Sequence, residues 1–156
     1  KALKQRKYFI ALVKDFKIMK LKNIPTGNSK EDIKTRERII SDFYYEWKRS
    51  NPTQRLFNID LKDYINIRHI SIIETVEHAA RTYLSTLAVL QLDSILTLAK
   101  KVRIVNVKPK DKNQNQFEKM IKMEYELVGI GKVSLIVGVK RSNKEKIQYC
   151  ITAIKT

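Results

Sequence analysis

The chain has 156 residues, 43% of them hydrophobic, enough for one domain with a real core. Lysine and arginine number 32 against 16 aspartates and glutamates, a formal net charge of +16. The single cysteine, Cys150, excludes an internal disulfide and a cysteine-rich zinc site, and no apolar run approaches the roughly 18 residues of a membrane-spanning helix. A compact chain with this much unbalanced charge repels itself, so a polyanionic partner is expected. Nucleic acid comes first and an acidic membrane surface or acidic protein second; a solvated basic domain is the plain alternative. No signal peptide is visible and no oxidising compartment is needed, which points to the cytoplasm. The sequence begins at Lys1 rather than Met, as a piece of a longer protein would.

In residues 1–22, Phe9, Leu12, Val13, Phe16 and Met19 fall at helical spacing among eight basic residues and one acid. This predicts a basic amphipathic helix that packs on the core, reaches for nucleic acid or lies on a membrane surface. Residues 25–28 form a turn. Ser29 is an N-cap with Asp32 three positions on, and the helix runs to about Arg49 with Ile33, Ile40, Phe43, Tyr44 and Trp47. Ser50-Asn51-Pro52 stops it. Asp60-Leu61-Lys62-Asp63 reads as another helix start. Ser71-Ile72-Ile73-Glu74 is a capping box that opens a helix with Ile73, Val76, Ala80, Leu84 and Leu87 as its apolar face. Glu74, His78, Arg81, Thr82 and Ser85 fall on the other side. Residues 87–99 are apolar nearly all round, as in a buried helix, and continue the previous helix or join it near Ser85-Thr86.

Beyond Lys101 the period changes. Residues 102–107 read as a strand, 108–116 as a polar loop, 120–127 and 132–139 as alternating strands joined at Gly129 and Gly131, and 147–154 as a final strand. The fold expected is α+β: N-terminal helices followed by a four-stranded antiparallel sheet. Residues 1–66 form a basic helical region and 67–156 the α+β part, packed as one unit.

No glycine-rich phosphate loop is present, and two histidines without a cysteine or carboxylate cluster make a poor metal site, so no cofactor is expected. What remains is acid–base chemistry among cations. RNA cleavage needs a base for the 2′-hydroxyl, an acid for the leaving 5′-oxygen and cations around the phosphorus. His78, one turn from Arg81 on the polar face, is the first candidate, and His69, just ahead of the capping box, the second. Either can equally be an ordinary surface histidine. Thr152 and Gln148 share a face of the last strand and can offer hydrogen bonds to a phosphate, although a threonine also simply fills a strand position. Arg81, Lys140 and Arg141 are expected to clamp phosphates, with Lys101, Arg103 and Lys119 in the basic stretch 100–119. Cys150 reads as a small core residue. Tyr44, Tyr45 and Trp47 read as core and boundary rather than a stacking platform.

Helices carrying His69 and His78 come before a helix ending at Ala99-Lys100-Lys101. The strand 102–107 follows, then the runs 117–125 and 132–141, then Gln148-Tyr149-Cys150-Ile151-Thr152-Ala153-Ile154. In this order and spacing, residues 67–156 resemble the barnase–EndoU–colicin–RelE (BECR) superfamily of small toxin nucleases, most of all the versions at the ends of phage polyvalent proteins. The resemblance implies metal-independent ribonuclease activity and often an inhibitory partner. It gives the family's helix, sheet and last-strand roles to His78, to Lys140 or Arg141, and to Thr152. Residues 1–66 lie outside it. Three readings follow, in this order: a metal-independent toxin-type endoribonuclease, a non-catalytic nucleic-acid-binding module of a phage or mobile element, and a phage inhibitor that binds an acidic protein. The expected partners are nucleic acid, RNA ahead of DNA, and a protein, not a membrane.

Overall fold

Ser29 opens the first helix of the described chain, accepting a hydrogen bond from Asp32 N at 3.1 Å. A computed structural model describes residues 24–154, and the basic helix expected over 1–22 lies outside them. This first helix, α1 (Lys30–Ser50), carries Glu31 and Asp32 in its first turn and Lys48 and Arg49 in its last, which suits the helix dipole. Ile39, Ile40, Phe43, Tyr44 and Trp47 form its buried stripe. Arg36 is buried as well. Its guanidinium is satisfied by carbonyl oxygens, Ala80 O at 2.7 Å, Pro25 O at 2.8 Å, Gly27 O at 2.6 Å and Arg81 O at 3.4 Å. One buried cation thus pins two distant segments to α1, hydrogen-bonded as burial demands.

The expected helix start at residues 60–63 is instead the turn of a hairpin. Strand β1 (Arg55–Asn58) pairs antiparallel with β2 (Asp63–Asn66). Asn58 decides this. Its buried side chain accepts from Leu61 N at 2.7 Å and donates to Leu96 O and Ala99 O, while Lys62 takes a left-handed backbone. Local helix signals lose to these distant partners.

The apolar stretch 69–99 forms three helices, α2 (His69–Ala79), α3 (Tyr83–Val89) and α4 (Leu92–Leu98). Ser71 is not the N-cap of α2. It lies inside the first turn and accepts from Arg68 N at 3.0 Å. The break after α2 is made by Thr82, which caps α3 through Ser85 N at 3.2 Å. The remaining strands are β3 (Lys100–Val105), β4 (Phe117–Leu127), β5 (Gly131–Lys140) and β6 (Lys146–Ala153). They pair antiparallel as the alternation expects.

The fold is α+β, but the sheet has six strands rather than four, in the order β1-β2-β6-β5-β4-β3. The β1–β2 hairpin adds the extra pair, and β2 meets β6 in parallel at Asn66 and Ile147. Two strands therefore precede α2, where only helices were expected. The sheet curls until its two edges approach at one end. There Asp60 Oδ2 accepts from Lys101 N at 2.9 Å, and Ile59 N donates to Thr97 O at 3.0 Å.

The helices cover one face of the sheet, and a single core runs from Ile24 to Ile151, so residue 66 marks no boundary in it. Ile121, Met123, Leu135, Val137 and Ile151 face that core. Residues between them point the other way. Phe117, Met120, Ile147 and Tyr149 form a second, smaller cluster with Val105, Val107, Ile136 and Ile70 of α2. A Cβ on Gly138 would sit 2.6 Å from the Phe117 ring, so only glycine seats that ring. No helix among the described residues is long and apolar enough to cross a membrane.

Candidate nucleic-acid interface

Helix α2 buries Glu74 of the face expected to be wet, while Val76 and Ala80 of the expected apolar face pack on the core as well. Ser71, Glu74, Thr75 and Ala79 are buried, whereas Ile73 is 44% exposed. The reason is a polar network. Tyr44 Oη donates to Gln148 Oε1 at 2.6 Å, and Gln148 Nε2 donates to Thr75 Oγ1 at 2.7 Å. Each buried polar atom finds a partner, so burial of this face is tolerated. Burial pushes the Tyr44 phenol well above its ordinary range.

One helical turn on, Glu74 is the hub of a second network. Tyr149 Oη donates to its Oε1 at 2.8 Å, Asn113 Nδ2 donates to the same oxygen at 3.0 Å, and His78 Nε2 lies 3.3 Å from Oε2. Burial and then the neighbouring carboxylate push the Tyr149 phenol up, so Tyr149 stays a donor. Glu74 is buried while the His78 side chain is 37% exposed. A carboxylate fixed from behind and an imidazole open in front is the geometry that orients a base. With Nε2–H directed at the carboxylate, the neutral ring keeps its Nδ1 lone pair for a substrate. Glu77 brings a further oxygen, so ligand atoms of Glu74, Glu77 and His78 lie within 4.8 Å of one another. Oε1 of Glu74 already accepts from Tyr149 and Asn113, while Oε2 faces His78.

The two histidines do not act together. Both lie on α2 nine positions apart, which is about 13 Å along the axis and half a turn around it at roughly 1.5 Å and 100° per residue. Thr152 pairs with Ser134 and alternates with Ile151, which packs against the helices, so it sits on the opposite face of the sheet. Of the three expected catalytic residues, His69 and His78 lie apart on α2. Gln148 is fully buried and committed to Tyr44 and Thr75, so the phosphate contact expected of it is not open to it.

The basic residues collect at one end of the sheet. Arg141 N donates to Gln116 O at 3.1 Å and its Nε to Asn115 O at 3.4 Å, which fastens the β5–β6 turn to the loop 106–116. Glu118 is held below the usual carboxylate range by its hydrogen bond from Lys144, with Lys119 and Arg141 adding to the effect. Lys119, Arg141 and Lys144 thus act on one carboxylate, and Lys140 stands opposite the neighbouring Phe117. Arg68, beside His69, joins them through Glu145 at 3.0 Å. The loop also carries exposed Lys108, Lys110 and Lys112, and its Asn113 reaches Glu74. Arg81 is exposed and pairs with Glu77 at 3.7 Å. Lys101 and Arg103 stand apart on the exposed edge strand β3.

A scan against protein-family models, a search of curated proteins and a search of solved structures each return no match. The site therefore stands on its own geometry. Sequence reasoning passed over Glu74, Asn113, Tyr149 and Lys144. Only Glu74 left a local signal, its i,i+4 spacing to His78.

Proposed function

We propose that this chain binds RNA and cleaves it without a metal, with His78 as the general base. The observation that carries the reading is the buried Glu74 carboxylate, fixed by Tyr149 and Asn113, behind an exposed imidazole. Nδ1 takes the 2′-hydroxyl proton, the 2′-oxygen attacks phosphorus, and the bond to the 5′-oxygen breaks. That oxygen takes its proton from solvent or from an ammonium of the 106–116 loop. Arg81 and the loop lysines offer charge to the phosphate. The chemistry needs a 2′-hydroxyl, which puts RNA ahead of DNA. The resemblance of residues 67–156 to BECR toxin nucleases supports the same reading and adds an inhibitory protein as partner. The lone cysteine suits a reducing cytoplasm.

The test is incubation with total RNA in EDTA. Wild type is expected to cleave, and His78→Ala to lose about a hundredfold or more in rate while binding RNA within about twofold. Full cleavage by the variant removes His78 from the mechanism. A second reading, a non-catalytic RNA-binding module, is favoured by one observation: His69 lies nine positions from His78 on the far side of α2, so the second histidine does not serve as the acid. It expects a mobility shift without product and binding that falls steeply with salt.

A further inference from the structure

The outer face of the β1–β2 hairpin carries an aromatic pair where alternation calls for polar residues. Phe57 and Tyr64 are directly opposite each other, 46% and 40% exposed, with ring centroids 5.4 Å apart and edge to face. Arg55, diagonal to Tyr64 on the same face, holds its guanidinium 3.9 Å from the Tyr64 ring centroid. Leu56 and Ile65, on the alternate positions, supply the hairpin's buried side. Arg55 and Lys62 make no ion pair among the described residues, so both charges are open to a partner. A cross-strand aromatic pair does help a hairpin. The Arg55 stack on Tyr64 helps hold the hairpin as well, yet both rings keep over a third of their surface exposed.

We propose that Arg55, Phe57 and Tyr64 form a platform on which unpaired bases of single-stranded RNA stack, with Arg55 and Lys62 meeting the flanking phosphates. The chemistry fits this occupant on three counts. Every base offers a π-face, so stacking on exposed aromatic rings is available whatever the sequence. A guanidinium stacks on rings and also pairs with phosphate, so Arg55 can remain over Tyr64 or swing to the backbone. A chain of net charge +16 favours a polyanionic partner, and the hairpin contributes Arg55 and Lys62 to meet it beside Asp60 and Asp63. Duplex RNA hides its base faces and gains nothing from the platform. The proposal rests on the RNA reading above for its ligand and adds a preference for single strands.

The experiment uses a labelled 2′-O-methyl oligouridylate, which lacks the nucleophile and cannot be cut, with a duplex of equal length and heparin as references. Affinities are measured by anisotropy for the wild type, Phe57→Thr and Tyr64→Thr, since threonine keeps the strand. Each variant is expected to bind the single strand roughly tenfold or more weakly. Binding to duplex and heparin should stay within about twofold. Single-strand affinity unchanged within about twofold overturns the platform, and so does an equal loss toward heparin. Ultraviolet crosslinking of the wild type to a 4-thiouridine oligomer keeps the test independent of variant folding. An adduct on residues 55–64 supports the platform, and adducts confined elsewhere overturn it. A wild type that binds none of the three ligands sinks the RNA reading itself. One that binds single strand and duplex alike, with inert variants, sinks only the platform.

Discussion

At the scale of single residues, the proposed chemistry turns on one carboxylate. Glu74→Gln keeps the side-chain shape and leaves an oxygen to accept from Tyr149 and Asn113, but it presents an amide N–H to His78. The ring must then accept at Nε2 and carry its proton on Nδ1, the nitrogen that the proposed mechanism needs as its base. RNA cleavage is expected to fall by at least about tenfold, as wrong-tautomer variants do, with Tm lowered by only a few degrees. Nitrogen NMR of the His78 ring reports the tautomer directly. An unchanged tautomer together with unchanged rate removes Glu74 from the mechanism. Part of this site is legible in the sequence, because Glu74 and His78 sit one turn apart on a helix. Tyr149 and Asn113 are not, because they arrive from a strand and a loop far along the chain. Nor does residue type reveal that Gln148, which looks like a phosphate ligand, is enclosed by Tyr44 and Thr75.

At the scale of elements, α2 is the informative failure. Its sequence has an apolar side through Ile73, Val76 and Ala80; Val76 and Ala80 do pack on the core, but Ile73 is exposed and the polar Ser71, Glu74 and Thr75 are buried. A hydrophobic period gives the dry face only when the partner surface is apolar, and here the partners are Gln148 and Tyr149 on β6 and Tyr44 on α1. The two faces predict opposite mutational behaviour. Thr75→Val conserves volume but leaves Gln148 Nε2 with only the 3.5 Å contact to Ser71 O, at a cost of about 1–3 kcal/mol. Ile73→Gln, on the open side, should shift stability by no more than about 0.5 kcal/mol. Urea unfolding of both variants decides, and the reverse order would restore the amphipathic assignment. Elements whose signals are local are legible: the Ser29 cap, and the alternation in β4 and β5. The β1–β2 hairpin is not, because four-residue strands carry little pattern and Asn58 takes its partners from the α4–β3 junction.

At the scale of the whole molecule, protons and salt act in opposite senses on folding and binding. Burial raises the Tyr44 and Tyr149 phenols and pushes the Cys150 thiol up to about 12. The folded chain then keeps protons that the unfolded chain gives up. Stability is full below about pH 9, the ordinary thiol value, and falls as pH rises through these groups. Asp63 and Glu118 are lowered by Lys146 and Lys144, so their small contribution is full above the carboxylate range and fades as pH drops through it. The urea midpoint should therefore decline on the alkaline side while the thiol and phenols ionise together with unfolding. Salt separates folding from binding. At a net charge of +16 the folded chain repels itself, and added salt screens that repulsion, so Tm should rise from low to moderate ionic strength. RNA affinity should fall over the same range, by about 0.7 of a log unit per log unit of salt for each phosphate engaged on a single strand. Parallel titrations of Tm and Kd with sodium chloride test this, because a polyanion site on a self-repelling domain requires slopes of opposite sign. An RNA affinity that does not respond to salt removes the charge's claim to be a nucleic-acid surface, and a Tm that falls with salt means that ion pairs outweigh self-repulsion in the fold.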